Sequence, residues 1–189
     1  MIVIGVTGTL GAGKGTVVEY LIEQEFKHYS ARDFIVEEII NRGLPINRDT
    51  MVSVANELRA LHGSDHIVRS LHKCAQDNNH KDIIIESIRT KGEVEALKIL
   101  PNAFLVAIDA DPKVRYERIV KRKRATDDVT FEKFVQDEAR EMDSDDPNKQ
   151  NLKYVISQAD FHLTNNGELE DLHKQVKKVL KTIHEKIGD

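Results

Sequence analysis

Short apolar runs alternate with stretches of helical periodicity along much of the chain. Four runs predict buried strands and a weaker one predicts a fifth; in chain order they are IVIGV from Ile2, FKHYS from Phe26 (the weaker run), DIIIE from Asp82, AFLVAID from Ala103 and DFHLT from Asp160. The segments between them repeat apolar residues at helical spacing, as at Leu169, Leu172, Val176, Val179 and Leu180. This alternation predicts a five-stranded parallel sheet covered on both faces, because right-handed crossovers place helices there.

Two longer segments interrupt the alternation. Residues 33–79 and residues 112–159 show only helical patterns. We expect a single domain over residues 1–189, with helical insertions at about 33–79 and about 112–150 folded over the carboxyl edge of the sheet. Open α/β sheets bind their ligands at that edge.

Composition narrows the class of protein. The chain has 28 Lys and Arg residues against 32 Asp and Glu residues, and its net charge of −4 disfavours nucleic acid as the main partner. No segment approaches the ~20 apolar residues of a membrane span, and the start lacks the basic leader of a signal peptide. The single cysteine, Cys74, suits a reducing compartment and is expected to be a small buried residue on a helix. We therefore expect a cytoplasmic protein without membrane or nucleic-acid partners.

A glycine-rich loop, GTLGAGKGT, lies between the first strand and the first helix. Its first three glycines let the backbone reach positive φ and let phosphate oxygens approach the amides. The amides and the helix N-terminus form a positive concavity, and Lys14 adds a charge for the β and γ phosphates of a nucleotide. The loop predicted to bind the nucleotide comprises Gly8, Thr9, Leu10, Gly11, Ala12, Gly13, Lys14, Gly15 and Thr16.

Glycine follows the lysine at position 15, where the general phosphate-loop pattern has serine or threonine. The sequence Gly-Lys-Gly-Thr resembles the loop of the nucleoside monophosphate kinases, adenylate kinase above all. This resemblance implies a P-loop NTPase fold with three α/β/α layers, ATP as phosphate donor and Mg²⁺ as cofactor. It also implies that Mg²⁺ keeps mostly water ligands, with Thr16 as the nearest protein hydroxyl.

The segment HYSARDFIVEE resembles the Ser-x-x-Asp-hydrophobic segment that opens the monophosphate-binding helices of adenylate kinase. Asp33 occupies the aspartate position, and in dephospho-coenzyme A kinases an aspartate in this region is the proposed base for the acceptor hydroxyl. From the residues alone, Asp33 is also a candidate cap for a helix that begins at Phe34. Adenylate kinases have an arginine three residues later, where this chain has Val36; the candidates to replace it are Arg32, Arg42 and Arg48.

The segment IIIESIRTKGEVEALK resembles the Asp-Gly-x-(Pro)-Arg motif at a strand end of monophosphate kinases. The resemblance places Arg89 at the arginine that grips the acceptor phosphate, where a planar two-pronged donor is favoured. It places Glu86 at the acidic residue that contacts Mg²⁺ through water. The alternative is that Glu86 and Arg89 pair with each other.

The segment VRYERIVKRKRATDD carries six cations between Arg115 and Arg124. It resembles the Arg-Ile-Val-x-Arg-Arg stretch of the adenylate-kinase lid, which implies that Arg118 lies against the donor base or phosphates and that Arg122 lies on the phosphates. A solvated basic helix is the alternative reading.

The segment QADFHLTNNGELEDLHKQVKKVL resembles the end of dephospho-coenzyme A kinases, which implies that the turn at Asn165 lies near the donor adenine. The residues themselves predict that Asn165 and Glu168 cap the last helix. In the first insertion, NELR with His62 and Gly63 is similar to a group of adenylate-kinase-like and dephospho-coenzyme A kinase-like proteins. Arg59 is there a candidate substrate contact, or else a solvated helix charge.

Together these segments imply a small kinase that moves the γ-phosphate of ATP·Mg to a nucleoside monophosphate or a similar nucleotide. Lys14, Arg89, Arg118 and Arg122 would neutralise the transferred charge. Two alternatives remain: a dephospho-coenzyme A kinase, in which Asp33 is the base, and a nucleotide-binding sensor or partner protein with little turnover. A nucleic-acid-end kinase is disfavoured because the chain has few aromatic residues for base stacking.

Overall fold

The computed structural model describes residues 1–122 and 129–188. Within these ranges five parallel strands form one sheet in the order β2-β3-β1-β4-β5, and the strands are β1 (Ile2–Gly8), β2 (Lys27–Ser30), β3 (Asp82–Glu86), β4 (Ala103–Asp109) and β5 (Phe161–Thr164). All five predicted strands are therefore confirmed, and so is the predicted three-layer P-loop fold.

Helices cover both faces of the sheet. One face packs against α1 (Lys14–Glu23) and α9 (Leu169–Ile187), and the other packs mainly against helices between β2 and β4. In β3 the side chains of Ile83 and Ile85 pack on the face covered by the helices between β2 and β4, whereas Ile84 packs on the face covered by α1 and α9. Since all three are fully buried, this strand appears in the sequence as an unbroken apolar run, as is typical of parallel sheets.

Helices also occupy the described parts of the two segments that interrupt the strand pattern. The connection between β2 and β3 contains α2 (Ala31–Asn41), α3 (Arg48–His62) and α4 (His66–Asp77), and α5 (Lys91–Lys98) follows β3. The connection between β4 and β5 contains α6 (Pro112–Arg122), α7 (Phe131–Met142) and α8 (Leu152–Ser157). The cations at 123 and 124 lie outside the described residues. No helix in the described ranges is both long and apolar enough to cross a bilayer.

The predicted cap of α2 is wrong. The helix begins at Ala31, and the hydroxyl of Ser30 accepts a hydrogen bond from the backbone nitrogen of Asp33 at 3.1 Å. Serine is as good a cap as aspartate, and it comes earlier in the chain. Asp33 therefore lies in the first helical turn with its side chain exposed, where its charge favours the helix dipole.

The predicted burial of Cys74 is also wrong, because the residue is exposed. The buried stripe of α4 consists of Ile67, Val68, Leu71 and Ala75. Cys74 lies beside this stripe rather than within it.

Candidate functional site

The glycine-rich loop has the backbone that its glycines were expected to provide. Gly8, Gly11 and Gly13 have φ values of 142°, 80° and 103°. A Cβ atom on them would lie 2.0 Å from the carbonyl oxygen of Ile108, 2.5 Å from that of Arg115 and 2.2 Å from Nδ2 of Asn165, respectively. These three positions therefore require glycine.

Gly15 differs from the other loop glycines. Apart from its chain neighbours and the backbone of its own helix, no described atom lies within 4 Å of the position that its Cβ would take. Packing of the unliganded protein therefore does not require glycine there. Thr16, the next residue, lines the same cavity as the loop and is only partly exposed.

Lys14 closes the loop on itself. Its Nζ atom donates hydrogen bonds to the carbonyl oxygens of Gly8 (2.9 Å) and Thr9 (2.8 Å). Burial, and then the positive charge of Arg89, lower the pKa of the amine to about 7. The lysine is thus poised to gain charge when an anion enters the loop.

Nucleotide binding is therefore expected to take up a proton above pH 7. Bound phosphates favour the charged amine and raise the pKa of Lys14 in the complex. Affinity should be insensitive to this group well below pH 7, and should fall by up to about tenfold per pH unit above it until the pKa of the complex is passed. Calorimetry at pH 6 and pH 8, in buffers of different ionisation enthalpy, measures the uptake relative to Lys14→Met. Equal uptake by the two proteins at pH 8 would contradict this assignment.

Arg115 on α6 contacts the glycine-rich loop, a role that no motif in the sequence indicated. Its guanidinium is almost fully buried and donates to the carbonyl oxygens of Ala110 (2.8 Å) and Leu10 (3.2 Å). It also forms a two-pronged ion pair with Glu138 on α7. The second insertion is thereby tied to the loop that is expected to hold the nucleotide.

A cavity of about 770 Å³ opens between the loop, the end of β3 and helices α2, α3, α6 and α7. The structure brings nearly all the site residues predicted beyond the loop into its lining. These are Asp33, Arg59, Glu86, Arg89, Arg118 and Arg122, and Lys14 and Thr16 line the cavity from the loop itself.

Asn165 lines a second, smaller cavity of about 200 Å³, together with Gly13 and Arg118. Its amide nitrogen donates to the carbonyl oxygen of Ala12 at 2.9 Å, and its backbone oxygen accepts from Arg118 at 2.9 Å. The predicted capping role is wrong, because Glu168 precedes α9 and makes no side-chain cap bond. The side chain that would cap the helix holds the glycine-rich loop instead.

Glu86 lies at the end of β3 and contacts His28, with Oε2 and Nε2 3.0 Å apart. Burial acts to raise the pKa of this carboxyl, but the hydrogen bond from His28 and the charge of Lys14 outweigh it and hold the pKa below its usual range. Glu86 is therefore a carboxylate at neutral pH. Together with the Thr16 hydroxyl it offers the oxygen ligands that suit Mg²⁺.

Arg89 does not pair with Glu86. Its Nη1 atom donates to Glu141 on α7 (2.6 Å) and to Gln150 (2.9 Å). The other oxygen of Glu141 accepts from Arg48 on α3 at 2.5 Å. The alternative of a simple pair at the strand end is thus wrong. No motif indicated Glu141, which lies 52 residues from Arg89.

The candidates for the arginine that is missing at Val36 occupy different places. Arg42 does not line the cavity, and it forms ion pairs with Glu38 and Glu57. Arg32 lines the cavity, but its Nη1 atom lies 3.8 Å from Oδ1 of the neighbouring Asp33, with which it forms an ion pair. Arg48 lines the cavity and shares a carboxylate with Arg89, which makes it the best placed of the three.

Arg59 is 2 % exposed, so the reading of a solvated charge is wrong. Its Nε and Nη2 atoms lie 3.0 and 2.9 Å from Oε1 of Glu93. The other oxygen of Glu93 accepts from the backbone nitrogens of Arg89 (2.7 Å) and Thr90 (3.1 Å). Arg59 thus fixes the turn that carries Arg89. Its Nη1 atom is buried without a hydrogen-bond partner among the described residues.

Arg59→Leu is expected to lower the free energy of unfolding by about 3–5 kcal/mol, because it leaves the Glu93 carboxylate buried without its charge partner. Arg69→Leu is the matched control, since it breaks an exposed pair with Asp65 that is worth about 0–1 kcal/mol. Urea denaturation of both variants measures the difference. Equal losses would show that the buried pair contributes no more than a surface pair.

Comparison with known proteins identifies the family of this chain. A model for the AAA domain matches residues 4–143. A UPF0200 protein of Methanococcus vannielii is 32% identical over 98% of this chain and 100% of its own length. A UPF0200 protein of Thermococcus kodakarensis is 31% identical over 99% of this chain and 100% of its own.

Solved structures share the fold at low sequence identity. TT1252 from Thermus thermophilus has a TM-score of 0.63 at 18% identity and covers 96% of this chain and 97% of its own. Shikimate kinase from Acinetobacter baumannii has a TM-score of 0.59 at 16% identity, with 98% and 94% covered. Dephospho-CoA kinase from Campylobacter jejuni has a TM-score of 0.52 at 15% identity, with 96% of both chains covered. The chain belongs to the UPF0200 family and has a P-loop kinase-type domain.

Proposed function

We propose that the protein is a kinase that moves the γ-phosphate of ATP to a nucleoside monophosphate. The observation that carries this proposal is one cavity lined by both the loop lysine and the strand-end arginine, Lys14 and Arg89, with Arg118 and Arg122 beside them. Phosphoryl transfer depends mainly on positioning and on neutralising charge. A cavity that places these four cations, among others, around the glycine-rich loop supports that chemistry.

The donor half of the site is formed by the loop and α6. Backbone amides of the loop and Lys14 would hold the β and γ phosphates. Arg118 lies between the large cavity and the smaller one beside Asn165, so it can contact both the phosphates and the base. The smaller cavity is then the place for the donor adenine.

The acceptor half lies under α2 and α3. Arg89 and Arg48 would hold the acceptor phosphate, because one guanidinium group can donate two parallel hydrogen bonds to two phosphate oxygens. An oxygen of that phosphate attacks the γ-phosphorus, the bond to the β–γ bridging oxygen breaks, and ADP leaves with the electron pair. A phosphate acceptor is already ionised at neutral pH, so this step needs no general base. Mg²⁺ beside the Thr16 hydroxyl, which Glu86 would contact through water, would supply further neutralisation of the phosphates.

A hydroxyl acceptor such as dephospho-coenzyme A is the second candidate. Asp33 favours it, because this residue lines the cavity with a carboxylate that is 74% exposed. An alcohol must lose its proton during attack, and Asp33 would accept it. The third candidate, a nucleotide-binding sensor, predicts binding of ATP without transfer.

A coupled assay of ADP release separates these readings. The acceptors are the ribo- and deoxyribonucleoside monophosphates and dephospho-coenzyme A. The proposal predicts acceptor-dependent ADP release with at least one monophosphate, abolished by Lys14→Ala and reduced only mildly by Asp33→Asn. Loss of activity with both variants would point to a hydroxyl acceptor. ATP binding without acceptor-dependent ADP release would favour the sensor.

A further inference from the structure

Glu141 lies between the two arginines of the proposed acceptor site. Its Oε1 atom accepts from Nη2 of Arg48 at 2.5 Å, and its Oε2 atom accepts from Nη1 of Arg89 at 2.6 Å. The residue is only 6% exposed and belongs to α7, in the second insertion. A carboxylate of the chain thus occupies the position that the proposed function gives to the phosphate of the acceptor.

The two arginines are not fully satisfied by this arrangement. Nε of Arg48 is buried and has no hydrogen-bond partner among the described residues; the nearest oxygen of Asp137 is 3.6 Å away. The second partner of Arg89 is the neutral amide of Gln150. Two guanidinium groups therefore share one carboxylate at hydrogen-bonding distance. A ligand with more negative charge and more acceptor oxygens would satisfy them better.

Glu141 is itself charged at neutral pH. Burial acts to raise the pKa of this carboxyl, but the charges of Arg89 and Arg48 outweigh it and hold the pKa below its usual range. An incoming anion therefore meets a negative charge beside the donors that it needs. It must either displace Glu141 or bind next to a like charge.

Resting on the proposed function, we propose that Glu141 competes with the acceptor phosphate for Arg48 and Arg89: it neutralises the two arginines in the unliganded protein and is displaced by a dianionic phosphate monoester. A neutral ligand cannot replace the charge that Glu141 provides to the two arginines. A phosphate monoester can, because it carries up to two charges and three strong acceptor oxygens. The substrate class is therefore a compound that ends in a phosphate.

Glu141→Gln tests this inference, because glutamine keeps the shape of the side chain and removes the charge. Binding of AMP, CMP, GMP and UMP, and of the four matching nucleosides, is measured by calorimetry in the presence of a saturating non-hydrolysable ATP analogue. We expect at least one monophosphate to bind the variant about tenfold more tightly than the wild type, and the nucleosides to show no gain. Glu132→Gln, an exposed change of equal charge on the same helix, is expected to match the wild type.

The inference is overturned if the Glu141→Gln protein binds all four monophosphates with wild-type or lower affinity, including the case in which neither protein binds any. If this variant does not fold, Glu141→Asp replaces it, since the shorter side chain cannot bridge both arginines and should also tighten monophosphate binding. The readout is separate from turnover. Tighter binding without phosphate transfer would contradict the proposed kinase alone, whereas transfer with unchanged binding would contradict only the role of Glu141.

Discussion

Lys14→Met is expected to lower kcat/KM for ATP by about 10³-fold, the largest effect of any single substitution in the site. We propose that the lysine neutralises the β and γ phosphates, and the loss of one preorganised donor of this kind costs about 10²–10³-fold in rate. Lys14 also donates to the carbonyl oxygens of Gly8 and Thr9. Its removal therefore loosens the unliganded loop as well.

The measurement is the ADP-release assay with the best acceptor, accompanied by a thermal melt to show that the variant is folded. Lys73→Met removes the same charge from an exposed position on α4. It should change kcat/KM by less than about twofold, as is usual for a surface substitution away from the site. A Lys14→Met protein with wild-type activity would show that the loop does not hold the reacting phosphates.

Arg89→Lys is expected to lower kcat/KM for the acceptor by about 10²-fold while changing the affinity for ATP by less than about twofold. Lysine keeps the charge but lacks the planar fork that can contact Glu141, Gln150 and a phosphate from one position. A misplaced acceptor costs rate even when it binds, because transfer depends on alignment.

Steady-state kinetics with acceptor varied at saturating ATP measures this effect. Arg69→Lys makes the same chemical change in a largely exposed pair and is expected to be silent. If Arg89→Lys instead weakened ATP binding and left the acceptor kinetics unchanged, Arg89 would belong to the donor half of the site.

The strands and the loop were predictable because their signals are local. Four strands appear as apolar runs, as is typical of parallel strands covered on both faces. The signal of β2 (Lys27–Ser30) is weaker, because none of its residues is buried. Gly8, Gly11 and Gly13 are dictated by backbone geometry, and the close approach of Ile108, Arg115 and Asn165 explains why a side chain is excluded.

Two of the misassigned residues, Asn165 and Arg59, have partners that are distant in sequence. Asn165 precedes a helix and fits a capping pattern, but its amide binds Ala12 across 153 residues. Arg59 meets Glu93 across 34 residues, and nothing in its helix predicts burial of an arginine. Only the folded arrangement of α3, α5 and the loop makes these contacts.

The proposed acceptor half of the site shows the same limit. Resemblance to monophosphate kinases predicted Arg89 and exposed the missing arginine at Val36, but it left three replacements open. Arg48 is distinguished from the other two only by the folded structure, in which it pairs from α3 with the same carboxylate as Arg89. Glu141 itself had no motif, because its role depends on where α7 packs.

The most direct test of the central claim follows the phosphate itself. The protein is incubated with γ-³²P-labelled ATP, Mg²⁺ and each nucleoside monophosphate in turn, and the products are separated and counted. The account predicts label in a nucleoside diphosphate with at least one acceptor, and none with the Lys14→Met protein. Binding of ATP with label recovered only in ATP and inorganic phosphate, for every acceptor, would contradict it.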